Sequence, residues 1–290
     1  NENHDRVLRE YYLYSIDLFK KACVLTDYQA NFVFGDYNFS FNNENPVIKV
    51  GFQHEHTLVK PGGRGSNGSP QGKIPCGDSK YLVRIDRYET LNSMDIVVEY
   101  SLPNIYNIKS SGLFDSYAAK NIYIAPVLFA FPIEQPRKRD CFTSFINTGE
   151  PRRRKLLNDT ASKRLNSTNI NNKFSKEELI SVYRDYKILI NIRQTEHHDT
   201  LEELRILSAL ANGVIVISED APLKDLVPYQ DFIVWDHYDN IINKAQEVLE
   251  NYDSYWKSIF NLAFHIKMLQ IEESNLTTVT NKLKELEAAK

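Results

Sequence analysis

The stretch 189–219, LINIRQTEHHDTLEELRILSALANGVIVISE, constrains the fold more than any other part of the chain. An unbroken apolar run is followed by a polar loop, an amphipathic helix, a glycine and a second unbroken apolar run. Apolar runs without alternation are strands covered on both faces, so they call for a parallel sheet with helices on each side. One βαβ unit accounts for the whole stretch. Thr200 and Glu203 have the spacing of a capping box, and Gly213 is placed to end the helix as a C-cap.

The same alternation extends on both sides. CFTSFI at 141–146, KILINI at 187–192, VIVIS at 214–218 and FIVW at 232–235 read as strands, with helices at 152–164, 175–186 and from 238 onward. Ser175 and Glu178 form another capping box. Before residue 136 the chain opens with a helical period over 5–22. Short β-rich runs follow at 24–25, 32–34, 47–52, 81–85, 95–100 and 122–131. The stretch 61–73, with five glycines and two prolines, reads as a mobile loop. The expected organisation is a first domain over 1–135, a second domain over 136–265 and a helical segment over 266–290.

Composition limits the function classes. A net charge of -3 gives no global positive field for a nucleic-acid backbone, so any anion site is a local cluster. Three widely spaced cysteines suit a reducing compartment and neither a disulfide framework nor a paired zinc motif. No apolar run reaches the roughly 18 residues of a membrane span, and the first residues lack a signal core. A soluble, cytoplasmic protein of a bacterial or host cytosol is expected.

Several clusters carry possible chemistry. Gly63, Gly65 and Gly68 spell GxGxxG, yet no strand precedes them and no helix follows, so the dinucleotide reading fails. His54, Glu55 and His56 follow one strand, and His197, His198 and Asp199 follow another. Such groups suit acid–base work or ligand binding at strand ends, and in a minority reading a metal. On the helix of the βαβ unit, Glu202 and Arg205 stand three apart. They are either a surface ion pair or a grip on a ribose diol and a diphosphate.

Arg205 stands eight residues before Gly213, followed by AlaLeuAlaAsnGly, the strand VIVISE, a proline segment and FIVW. This run resembles the nucleotide-sugar-binding half of GT-B glycosyltransferases, nearest to the exostosin-like group and to short bacterial and viral transferases. The likeness covers roughly residues 140–240. It implies an α/β protein of GT-B type: two Rossmann-like domains facing a cleft, with C-terminal helices packing back. The implied activity is transfer of a hexosyl or pentosyl unit from a nucleotide-diphosphate sugar, most simply a UDP-sugar, to a hydroxyl of an oligosaccharide or glycoprotein acceptor. No cofactor and no metal are expected, and no nucleic-acid partner.

The resemblance also assigns residues. Arg205 faces the diphosphate. Ser208 stands where that group has an acid, so Glu202 replaces it as the ribose-holding carboxylate. The turn after the first donor-domain strand, with Thr148 and Gly149, and the basic run containing Arg153 face phosphate. Arg193, His197 and Glu219 complete the donor-side set. The base of an inverting transfer is sought among Glu55, His56, Asp36 and Asp78. The rivals are a metal-dependent hydrolase using the histidine clusters and a non-catalytic glycan-binding module. Basic groups at the leaving diphosphate take the place of a divalent cation, so transfer is expected to persist in EDTA. Product formation with and without chelator checks this; complete loss restored by one metal sinks it.

Overall fold

The computed structural model describes residues 2–35, 44–55, 57–61, 81–85, 87–129, 137–146, 148–194 and 200–289. The chain is mixed α/β with two parallel sheets. Its contacts cluster into two units: one made of 1–14 and 126–272, the other of 15–125 and 273–290. Sequence reading drew three consecutive segments, whereas these units interleave. α1 (Glu2–Thr26) and α10 (Leu262–Ala288) each contribute residues to both.

The unit centred on 15–125 holds β1 (Asn31–Phe34), β2 (Val47–Gln53), β5 (Ile96–Glu99) and β6 (Asn121–Tyr123), paired in that order and all parallel. β3 (Leu58–Pro61) and β4 (Tyr81–Arg84) form a separate antiparallel pair. α2 (Tyr88–Asn92), α3 (Leu102–Ser111) and α4 (Asp115–Ala118) lie among these strands in sequence. Ile85, Leu91, Met94, Val97, Ile108, Phe114 and Tyr117 form one buried cluster. At the far end of the chain, Asn275 of α10 closes two hydrogen bonds of 2.9 Å with the backbone N–H and C=O of Ala125. A buried amide thereby satisfies the irregular segment that follows β6.

The other unit holds β7 (Arg139–Thr143), α5 (Pro151–Ser162), β8 (Ser167–Asn169), α6 (Lys176–Asp185), β9 (Tyr186–Asn191), α7 (Glu203–Ala211), β10 (Ile215–Glu219) and β11 (Val234–Asp236). α8 (Ile241–Glu250) and α9 (Tyr252–Ile259) follow. The sheet order is β11-β10-β9-β7-β8, every pair parallel. This is a doubly wound, Rossmann-like order: the chain moves from β7 to β8 on one side, then crosses to β9 on the other. The switch point therefore lies between β7 and β9, where loops leave neighbouring carboxyl ends in opposite directions and open a crevice. Ile188, Leu189 and Ile190 of β9 and Ile215 to Ile217 of β10 are all fully buried, as the unbroken apolar runs require.

Local signals explain the helix ends. Ser175 and Glu178 close the expected capping box on α6. Gly213 adopts φ 77°, and the N–H groups of Gly213 and Val214 bond the carbonyls of Leu210 and Ala209 at 2.9 and 3.1 Å. That is a Schellman ending, for which glycine carries no Cβ penalty. Other expectations fail. α7 begins at Glu203 with Glu202 at its N-cap and no side-chain cap bond, so the Thr200–Glu203 box does not form. Val24 and Leu25 are not a strand; they end α1, 84% and 65% exposed. Strand structure in 122–131 stops at Tyr123, and the buried Ile124 and Ala125 continue without regular pairing into Pro126, which has no N–H to donate. The glycine-rich stretch from 62 on lies outside the described residues.

Gly51 of β2 lies in close contact with the side chains of Leu91 and Met94. A Cβ there would stand 2.7 Å from Leu91 Cδ2 and 2.9 Å from Met94 Cγ, both side chains buried. Gly51→Ala is therefore expected to cost about 1–3 kcal/mol through overpacking, and Gly51→Val more. Denaturant midpoints at unchanged slope check this, and wild-type stability of the valine variant contradicts it.

Candidate functional site

The polar residues that end the apolar strands of the second sheet converge at the switch-point edge. Glu219 ends β10 and is 3% exposed, so its charge requires partners. Arg152, in the first turn of α5, donates from Nη2 to Glu219 Oε1 at 2.6 Å. Arg193, in the loop after β9, donates to Oε1 from Nε and Nη2 at 3.1 and 2.9 Å, and its backbone N–H donates to Oε2 at 3.0 Å. A further bond of 3.0 Å runs from Arg152 Nη1 to the Arg193 carbonyl. One buried carboxylate thus ties α5, the β9 loop and β10 together. The Arg152 guanidinium also stacks 4.4 Å from the centre of the Tyr238 ring, whose hydroxyl donates to the Arg152 carbonyl at 2.8 Å. A cavity of about 350 Å³ opens here, bounded by Arg152, Arg193, Glu219, Asp220, His237 and Tyr238 among others.

A second pair of arginines faces the same edge. Arg153 is 6% exposed and lies 4.8 Å from the ring centre of Phe145. That ring is held in place through its backbone. Asn169, the last residue of β8, accepts from the Phe145 N–H at 2.9 Å and donates to its carbonyl at 3.1 Å. Burial first, and then the neighbouring charge of Arg205, push the Arg153 guanidinium down to about 10, with Glu202 and Glu150 opposing the shift. Two cations and two carboxylates therefore share one neighbourhood. Arg205 Nη1 donates to Asn191 Oδ1 at 3.3 Å, its one side-chain hydrogen bond among the described residues.

The remaining donor-side candidates are placed as follows. Thr148 and Gly149 are exposed in the β7–α5 loop, with the Gly149 carbonyl accepting from Arg154 Nη2 at 2.8 Å. Glu202 is half-buried at the N-cap of α7. Ser208 is buried and turns its hydroxyl back onto the Leu204 carbonyl at 3.1 Å, within its own helix. His197 lies outside the described residues, as do His198 and Asp199.

Asp36, His56 and Asp78, the candidate bases, also lie outside them. Glu55 is half-buried on a segment fixed by its backbone: its N–H donates to Gln53 Oε1 at 3.3 Å, and its carbonyl accepts from Asn104 Nδ2 at 3.4 Å. The same Asn104 accepts from the Thr57 N–H at 3.1 Å and donates to the buried Glu99 carboxylate at 2.9 Å. No group of three His, Cys, Asp or Glu side chains able to hold a metal occurs among the described residues. No helix is long and apolar enough to cross a membrane among them.

Sequence reasoning passed over Asn191, Phe145, Asn169 and Tyr238. The available signal for the two asparagines is position: each ends a parallel strand, Asn191 on β9 at the switch point and Asn169 on β8 one strand further out. For Phe145 and Tyr238 no local signal exists, because their role is to carry arginines brought from elsewhere.

Known proteins add little to this geometry. No family model matches the chain. An uncharacterized protein of Acanthamoeba polyphaga mimivirus, R358, is 26% identical over 216 residues, which span 70% of this chain and 74% of that protein. Among solved structures, the GtfA/B complex bound to UDP and GlcNAc aligns at 11% identity and a TM-score of 0.30 over 84% of this chain. The chain spans about half the length of that structure, 52%. At that score the likeness transfers neither fold nor ligand.

The depressed Arg153 sets up a test. Its folded value of about 10 lies below the ordinary guanidinium value, so the unfolded chain binds more protons between these limits. The charge therefore opposes folding at every pH below about 10, and the opposition fades as pH rises from there toward the ordinary guanidinium value. Arg153→Met is expected to raise the melting temperature by roughly 2–4 °C at neutral pH. A lowered melting temperature counts against a destabilising charge.

Proposed function

We propose that the chain is a GT-B type glycosyltransferase whose 126–272 unit binds a nucleotide-diphosphate sugar, a UDP-sugar in the simplest case. The observation that carries this reading is the pair Arg153 and Arg205. Their charges disfavour one another, at the carboxyl edge where a doubly wound sheet takes its ligands. An incoming diphosphate relieves that repulsion, and guanidinium groups match its oxygens with two parallel hydrogen bonds.

Roles follow from reach and charge. Arg205 uses one donor on Asn191 among the described residues and keeps its other N–H groups for phosphate. Arg153 sits beside it. Glu202, at the N-cap of α7, is assigned to the ribose hydroxyls, since Ser208 is committed to its own helix. Thr148 and Gly149 are assigned to the phosphate side, as is His197, which lies outside the described residues. Glu219 holds Arg152 and Arg193 in place. As the bond from sugar to diphosphate breaks, negative charge grows on the leaving oxygen. Preplaced cations stabilise that charge more in the transition state than in the ground state. The acceptor is a glycan hydroxyl, and Glu55, His56, Asp36 and Asp78 are the groups assigned to test as its base.

Arg205→Ala is expected to lower transfer on the order of 100-fold or more with the melting temperature preserved. Glu202→Gln is expected to weaken nucleoside-diphosphate binding more than Ser208→Ala. Product assays over a panel of nucleotide sugars and calorimetry with UDP provide the measurements. Wild-type turnover by Arg205→Ala overturns the donor-site assignment.

A further inference from the structure

We infer that Asn191 is a positioning residue that aims Arg205 at the diphosphate while leaving its charge intact; the inference rests on the donor-site reading above. The Asn191 side chain is 3% exposed at the carboxyl end of β9. Its Oδ1 accepts from Arg205 Nη1 at 3.3 Å, and its Nδ2 donates to Ser218 Oγ at 3.0 Å. The Ser218 hydroxyl in turn donates to the Glu219 carbonyl at 3.2 Å.

This chain has one direction only. If the amide were reversed, its NH2 group would face the guanidinium donor, and its oxygen would face a serine whose proton is already given to Glu219. Ser218 therefore fixes the amide, and the amide fixes the guanidinium. A buried polar relay of this kind is rigid, because each partner loses a bond if another turns.

The chemistry of the acceptor is the informative part. A carboxylate at 191 would also orient Arg205, but as an ion pair that cancels the charge a diphosphate needs. A neutral amide oxygen orients without neutralising. The effect of Arg205 on Arg153 shows that its field reaches the neighbouring guanidinium. Ser218 belongs to the same device one bond further back, so Ser218→Ala acts in the same direction with a smaller effect.

The test is a double-mutant cycle on pyrophosphate affinity, measured by calorimetry with Asn191→Leu, Arg205→Ala and the double variant, each with a melting curve. Asn191→Leu is expected to weaken pyrophosphate roughly 10-fold, the loss of one bond to a charged group. In the Arg205→Ala background the same change is expected to matter less than about twofold, since the group through which it acts is gone. Asn191→Asp, nearly the same shape, is expected to weaken binding as well, because its charge pairs with Arg205. That variant also keeps the test open if leucine prevents folding. An equal loss in both backgrounds, or wild-type affinity of Asn191→Asp, overturns the inference and leaves the donor site standing. Wild-type pyrophosphate affinity of Arg205→Ala removes both.

Discussion

A carboxylate taken out of water at the end of an apolar strand must find cations and N–H donors or lose its charge, and Glu219 finds them on two other elements. Arg152 arrives from the first turn of α5 and Arg193 from the loop after β9. The backbone N–H of Arg193 takes the second oxygen. The crevice at the switch point is thereby closed on one side by a network that no single element could form. Removing one partner would leave the others buried with incomplete bonding, which is why such a network specifies geometry more surely than it adds stability.

The other side of the same edge is organised by the opposite imbalance. Arg153 and Arg205 have acidic neighbours in Glu150 and Glu202, yet burial and mutual repulsion still depress Arg153. Charge has been kept where folding alone would discard it. An aromatic face beneath Arg153 and an amide oxygen beside Arg205 hold these groups without cancelling them. Sites that retain unfavourable charge in the free state are where a ligand of opposite sign recovers the difference.

In the unit centred on 15–125 a buried carboxylate also takes N–H donors from the residues around it. Glu99 ends β5 fully buried and accepts from the N–H groups of Tyr100 and Ser101 at 2.9 and 3.3 Å and from Asn104 at 2.9 Å. Asn104 and Asn107, one turn apart on α3, also hold the backbone of Thr57. The segment carrying Glu55 is consequently set by amides on a helix together with its own Gln53 side chain.

What the sequence determined by itself is what depends on neighbours along the chain. The apolar runs at 187–192 and 214–218 required doubly covered parallel strands. The Ser175 box and Gly213 set helix ends, and the spacing from Arg205 to Gly213 placed a cation on the first turns of α7. Where local signals competed with tertiary bonding they failed. Glu203 has the spacing of a capping acid, but its carboxylate instead accepts the buried Tyr229 hydroxyl at 3.1 Å. Only the tertiary structure decided that strand order reverses at β7 and that Arg152 and Arg153, adjacent in sequence, serve two different clusters. It also decided that Asn169 and Asn191 hold the groups beside them. Those choices rest on pairings between residues from 14 to 67 positions apart, and a pairing across space leaves no period in the chain to read.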